Sequence, residues 1–423
     1  MSPTVRHRVE HAGGDPVADG SGRGATRAAW VGWVAPLAAA AAVGLCAAPA
    51  IPAAAATGRH REPARLAPQV AVDTDWPVYH HDPEGSGIDS SGTSLTPSSA
   101  AWTSGTLDGE IFGEPLESTN RVYVATENDT VYALAADTGA VLWSAHVGTP
   151  VPHGDLPCGD IGPTVGITST PVLDPTRGEI FVVDDELDNG VPAHYVLGLD
   201  MYTGDVLLRQ DVDPPGSYPP ALLQRVALTL DDGHVVFGYG GNAGDCSTYR
   251  GWVVSVPESG GTVSTYDVTP STSQGAVWMG GAAPIVDASG NIWAASGNGS
   301  AGPGSPYDGS DSVFELSPAL QRLQYFAPST WATDNQNDRD LGSSAPALLS
   351  NGTVFQAGKS GTGYVLNQAH LGGIGGQLGQ VAICGGVVDG GDAVVGTVVY
   401  APCSSGVLAV QTSPTTPWLT TGW

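Results

Sequence analysis

The sequence predicts an all-β fold, a β-propeller of about six to seven four-stranded blades. Three observations predict it. Residues 122–143 read as strand, polar turn, strand, Asp137-Thr138-Gly139 turn and strand, and this unit recurs in degraded form down the chain. Glycine (59) and proline (33) are abundant while charged residues make up only 13% of the 423, as suits many short strands joined by tight turns. At 41% apolar, the chain still holds enough material for a packed interior.

Residues 1–56 read as a secretory signal peptide. Arg23 and Arg27 precede an alanine-rich run, and Ala53 to Ala56 offer small-residue cleavage sites. The run is long enough to span a bilayer, but small side chains and three prolines weaken an anchor reading, so no stable span is expected after processing. Cleavage removes three acids and four arginines. The remaining 39 acidic against 11 basic side chains carry a net charge near −28, which repels nucleic acid and anionic lipid. The partner expected is instead a small molecule or an extracellular protein. Four cysteines remain, an even count that favours disulfides in an exported protein. Of the three pairings open to them, Cys384–Cys403 flank a strand and its return, and Cys158–Cys246 both sit in glycine-rich loops. These two are favoured.

Residues 57–75 form a proline- and arginine-bearing linker, and the propeller occupies 76–423. Residues 76–110 are irregular and end in a strand near Trp102. Six units follow, at 111–147, 166–211, 220–267, 275–325, 341–383 and 384–419. Pro115, Pro171, Pro220, Pro284 and Pro346 open the first five, since a strand's first residue can spare its N–H. A first strand (121–126, 179–183, 234–239, 291–295, 353–356) and a second (131–134, 195–199, 252–256, 312–316, 363–366) come next. Asp232-Gly233, Ser289-Gly290 and Asn351-Gly352 supply turns between them. Asp137-Thr138-Gly139 is echoed by Tyr202-Thr203-Gly204 and Ser259-Gly260-Gly261. Four residues after Gly139 stands Trp143, whose ring would wedge between neighbouring sheets; Leu208 and Thr265 hold that place in the next two units. A three- or four-stranded unit cannot bury both faces alone, and radial stacking solves this. The 417–423 segment reads as an outer strand and the strand near Trp102 lacks inner partners, which predicts a ring incompletely closed at the C-terminus.

Residues 133–143 resemble the tryptophan-docking repeat of the pyrroloquinoline quinone (PQQ) propeller superfamily, which includes quinoprotein alcohol dehydrogenases and outer-membrane assembly lipoproteins. The opening from Asp75 to Asp82, the Ala101-Trp102-Thr103 strand, residues 166–171, and residues 338–346 followed by 357–361 resemble quinoprotein sequence as well. The resemblance covers about 76–423. It implies the fold, and it carries possible PQQ and calcium as cofactors.

Lys359 is the only lysine. The resemblance implies a basic residue over the quinone oxygens, where a cation stabilises negative charge as the ring is reduced. Gly358-Lys359-Ser360 is not a phosphate loop, because Thr353 stands where the leading glycine belongs. Asp338 and Asp340 lie in a polar loop entering an inner strand, where a carboxylate abstracts an alcohol proton or binds calcium; an exposed acidic loop is the plainer reading. Glu114 precedes Pro115 at the equivalent place and is a candidate calcium ligand. Trp278 is a candidate stacking surface for a flat ring. His80 and His81, as neighbours in a strand, would point to opposite faces and share no metal. No two cysteines adjoin, unlike many quinoprotein dehydrogenases, and no Cys-x-x-Cys-His haem site occurs. The leading expectation is a secreted propeller that binds a ligand or partner. A PQQ- and calcium-dependent alcohol or sugar dehydrogenase and a cell-envelope scaffold stand as alternatives. Asp340, Lys359 and Glu114 gathered at one channel mouth would favour the dehydrogenase; their scatter would favour the binding module.

Overall fold

The structure, a computed structural model, describes residues 31–32, 75–89, 91–92 and 99–422. Apart from 31–32 and Asp75, the signal-peptide and linker segments lie outside the described residues. Six blades follow one another in chain order, each built on four antiparallel strands; Gly373–Ile374 adds to the fourth blade as a parallel fifth strand, and Gly379–Ala382 is the outer strand of the fifth. Blade 1 runs Leu116–Ser118, Arg121–Thr126, Thr130–Ala135 and Val141–His146. Blade 2 runs Val172–Asp174, Glu179–Asp188, Val191–Asp200 and Val206–Asp211. Blades 3 to 6 begin at Thr229–Asp231, Ile285–Val286, Ala347–Leu348 and Ala393–Val395. Among the described residues no helix is long and apolar enough to cross a membrane. Both favoured disulfides, Cys158–Cys246 and Cys384–Cys403, are present.

Alternating side chains put one apolar row on each face of a sheet, and the core lies between blades. Tyr123 and Ala133 of blade 1 share one cluster with Ile180, Val182 and Leu197 of blade 2. Phe181 and Val183, on the opposite face of the same strand, join Phe237 and Val254 of blade 3. The Asp-Thr-Gly corner completes the packing. Trp143 lies against Gly204 of the next blade, and its Nε1 donates to the Met201 carbonyl at 3.0 Å. Gly204 has φ +77°, and a Cβ there would meet the indole at 2.7 Å, so the corner needs glycine on both counts. Trp102 packs on Gly139 in the same way and Leu208 on Gly260.

Four sequence expectations need adjusting. Pro220 does not open the inner strand of blade 3; it precedes Leu222–Leu223, an extra strand paired with Gly240 and Gly241, and the inner strand starts at Thr229. The paired strands of blade 2 reach from Glu179 to Asp188 and back, so the acidic run after Val183 is strand. Residues 331–336 form a short helix at the start of the expected polar loop. Trp102–Thr103 pairs with Val31–Gly32 instead of entering a blade.

Residues 76–86 cross between the innermost strands. Trp76 exchanges backbone hydrogen bonds with Glu117 of blade 1, and Leu173 of blade 2 donates to the Pro77 carbonyl at 2.8 Å. Val286 of blade 4 donates to Pro83 and Val394 of blade 6 to Ser86. This segment ties four blades together and puts Tyr79 and His80 on the wall of a large cavity.

Candidate functional site

The loops that enter the inner strands surround a cavity of about 970 Å³, and Glu114, Trp278, Asp338, Asp340 and Lys359 all line it. Asp340 ends the loop before the short turn at Leu341–Ser343. Its side chain is buried, with Oδ1 accepting the Asn298 backbone N–H at 2.6 Å and Oδ2 contacting Lys359 Nζ at 2.6 Å. The Lys359 backbone N–H donates to the Asp340 carbonyl at 2.9 Å, which fixes the two chains against each other. Lys359 Nζ also donates to Asp338 Oδ1 at 2.8 Å, and Asn298 Nδ2 donates to the same oxygen at 3.0 Å. Gly297 permits this arrangement: a Cβ there would stand 2.2 Å from Asp340 Oδ1.

Trp278 forms the adjoining wall. Lys359 Nζ lies 5.4 Å from its ring centre and Arg225 Cζ 5.1 Å, so two cations approach the indole. Burial lifts the Asp340 carboxyl above the ordinary range, and Lys359 offsets part of that rise. Burial alone would lower the Lys359 ammonium; the Asp340 and Asp338 carboxylates outweigh it and hold the ammonium above its ordinary value. The hydrogen bond from Lys359 holds Asp338, the exposed partner, below its ordinary value.

Glu114 lines the same cavity but faces the N-terminal segment. Oε1 accepts Trp76 Nε1 at 3.1 Å and Oε2 accepts the His80 backbone N–H at 3.0 Å. Burial raises its carboxyl, with the two N–H groups acting against the rise. His80 stacks on Tyr79 at 4.2 Å, and His81 lies 3.5 Å from Asp82.

The donor set is a poor match for a calcium-bridged PQQ. That group is a tricarboxylate, whereas the cavity wall brings Glu114, Asp160, Asp245, Asp338 and Asp340 against two cations, Arg225 and Lys359. Lys359 is already engaged by two carboxylates, and both Glu114 oxygens already accept N–H bonds. The wall suits neutral or cationic polar ligands better.

Asn298 and Arg225 were not singled out from the sequence. Asn298 lies in a Gly-Asn-Gly turn after the second strand of blade 4, Ile292–Ala295, whereas Asp340 precedes the inner strand of blade 5. Arg225 was one of few cations in an acidic chain, and that scarcity was the available signal.

Comparison with known proteins agrees with the geometry. Residues 87–304 match a PQQ-like family model described as outer membrane protein assembly factor BamB. No curated protein matches the chain. Among solved structures, the quinohemoprotein alcohol dehydrogenase ADHIIG from Pseudomonas putida HK5 is similar at 15% identity and TM-score 0.57, over 82% of this chain and 61% of that one. The quinohemoprotein alcohol dehydrogenase from Comamonas testosteroni is similar at 17% identity and TM-score 0.53, over 71% of this chain and 48% of that one. The chain thus spans less than two thirds of either enzyme, and at these identities the likeness concerns the fold.

Proposed function

The chain belongs to the PQQ-like β-propeller family, and from that premise we propose that it is a secreted ligand-binding propeller that holds a small polar molecule in its central cavity. Asp338, Asp340, Lys359 and Asn298 supply hydrogen bonds and Trp278 supplies a flat apolar wall. The gathering of Asp340, Lys359 and Glu114 in one cavity is the arrangement expected of a dehydrogenase; the observation that carries the binding reading is that their polar atoms are already engaged, Lys359 by Asp338 and Asp340 and both Glu114 oxygens by N–H groups. The two disulfides and the acidic balance support an extracellular setting.

The second reading is a PQQ- and calcium-dependent dehydrogenase of alcohols or sugars. What favours it is the Asp340–Lys359 contact at 2.6 Å inside that cavity, a base and a cation side by side. The committed oxygens of Glu114 weigh against it. A third reading, an assembly scaffold of the cell envelope, draws on the description of the matching family model.

Tryptophan fluorescence tests the first two together. The protein is titrated with glucose, glycerol and choline, and separately with PQQ plus calcium followed by a dye-reduction assay with alcohols and aldoses. Under the leading reading, at least one of the three small ligands perturbs the emission, and Asp340→Asn weakens that response tenfold or more. Dye reduction that needs PQQ would replace the leading reading with the second. Silence in every titration would remove both.

A further inference from the structure

A second group of carboxylates lies between blades 1 and 2, well apart in sequence from the Asp338–Lys359 corner. Asp184 and Glu186 are two residues apart on one strand, so their side chains share a face. Asp185 points the other way, towards His194 Nε2 at 3.8 Å. Asp129, from the turn after the second strand of blade 1, meets Asp184 and Glu186 from the opposite side. Glu186 Oε2, Asp184 Oδ2 and Asp129 Oδ2 lie 2.5, 2.8 and 3.0 Å from the point where a Gly148 Cβ would stand. Gly166 gives way on the other flank, since its Cβ would fall 2.4 Å from Asp129 Oδ1.

Two of these three carboxylates lack partners. Asp184 and Asp129 are both fully buried, and neither oxygen of either carboxylate has a hydrogen bond. Glu127, also buried, turns Oε2 to the Gly166 N–H at 2.8 Å and leaves Oε1 unpartnered. The cation beside the group is Arg209, which meets Glu186 Oε1 and stacks on Tyr195. Buried carboxylates persist when they are paired, protonated or bound to metal. One guanidinium against three carboxylates leaves the deepest two unpaired.

We propose that Asp129, Asp184 and Glu186 bind a calcium ion between blades 1 and 2. The donors are all oxygen, which selects a hard cation, and calcium accepts irregular sets of 6–8 oxygens at about 2.3–2.6 Å where magnesium demands a near-ideal octahedron. Among the described residues no group of three His, Cys, Asp or Glu side chains is placed to hold a metal ion as it stands; binding therefore requires the carboxylates to move, away from the Gly148 Cα, with water completing the shell. The ion would join a turn of blade 1 to the long hairpin of blade 2, so its role is to fasten two blades. It is independent of what the central cavity binds.

The full chain is stripped with EDTA, desalted and titrated calorimetrically with CaCl2 and then with MgCl2, and its melting temperature is followed in both. We expect one calcium per chain, a melting temperature that rises with calcium by linkage, and a response to magnesium at least tenfold weaker. Asp184→Asn, which keeps the shape and removes the charge, should lower calcium affinity at least tenfold and abolish the rise; Asp129→Asn should do the same. No heat and no change in melting temperature in the unaltered protein would overturn the proposal. Undiminished binding in both variants would overturn it equally, by placing the ion elsewhere.

Discussion

The Asp338–Asp340–Lys359 corner and the Asp129–Asp184–Glu186 group both bring carboxylates together, and they differ in where the positive charge comes from. At the corner it is built in: Lys359 Nζ reaches Asp340 at 2.6 Å and Asp338 at 2.8 Å, and the Asn298 backbone N–H takes the remaining Asp340 oxygen. Between blades 1 and 2 the one guanidinium meets Glu186, while Asp129 and Asp184 keep four buried oxygens without partners. A compensated group stands ready for a neutral visitor, since nothing has to arrive for it to be stable. An uncompensated one is a binding energy waiting for an ion. Removing one charge should therefore act with opposite sign in the two regions.

The largest effect is expected at the corner. Lys359→Met leaves Asp340 buried beside no cation, and breaking a buried pair from one side costs about 3–5 kcal/mol. The lysine side chain keeps a quarter of its exposure, so about 2–3 kcal/mol is the better expectation, read as a lowered urea midpoint with an unchanged slope. Adding Asp340→Asn to that variant should recover about half of the loss, because the orphaned charge goes with its partner. An additive double variant would show that the two side chains do not act as a pair.

Asp184→Asn should move stability the other way when calcium is absent. It removes a like charge from a crowded group and breaks no hydrogen bond, for a gain of about 1 kcal/mol, the scale of two charges in contact under strong screening. In saturating calcium the order reverses and the unaltered protein becomes the more stable. Urea midpoints with EDTA and with calcium give both numbers. A variant less stable in both conditions would erase the contrast.

The same two regions show how much the sequence conveys. All six units were legible, because the Gly139 corner and its echoes at Gly204 and Gly260 impose a spacing that survives the loss of the tryptophan to Leu208. The corner residues were legible as well: Lys359 stands out as the sole lysine, and Asp338 and Asp340 precede an inner strand. That they meet was not, since hydrogen bonds across 19 and 21 residues depend on where blades 4 and 5 turn. The blade 1–2 group was missed for a definite reason. Asp184-Asp185-Glu186 follows the apolar run at Val183, acidic residues are depleted in strands, and the run therefore read as the end of a strand. Tertiary pairing with residues 193–195 carried the strand through it. Glu114 shows the limit of reading by position: it stands at the expected place on the cavity wall, yet both oxygens turn to Trp76 and His80, which no local pattern announces.

Asp392 sharpens the contrast at the smallest scale. It is buried beneath the N-terminal segment, both side-chain oxygens lack partners, and burial alone raises its carboxyl well above the ordinary value. Asp82 and Glu84 of the crossing segment line the same small pocket, yet burial is the sole cause of the Asp392 shift, so no other carboxylate acts on it. A raised carboxyl keeps its proton in the folded state at a pH where the unfolded chain has lost it. Its contribution therefore falls as pH climbs past about 4, the unfolded value, until the folded group ionises in turn. Asp392→Asn should melt higher than the unaltered protein at pH 7, with the difference closing towards pH 4. Calcium should leave that difference unchanged, because a lone carboxylate offers an ion too few oxygens. If calcium raised the melting temperature of the unaltered protein and Asp392→Asn abolished the rise, the distinction between a crowded acidic group and a solitary one would fail.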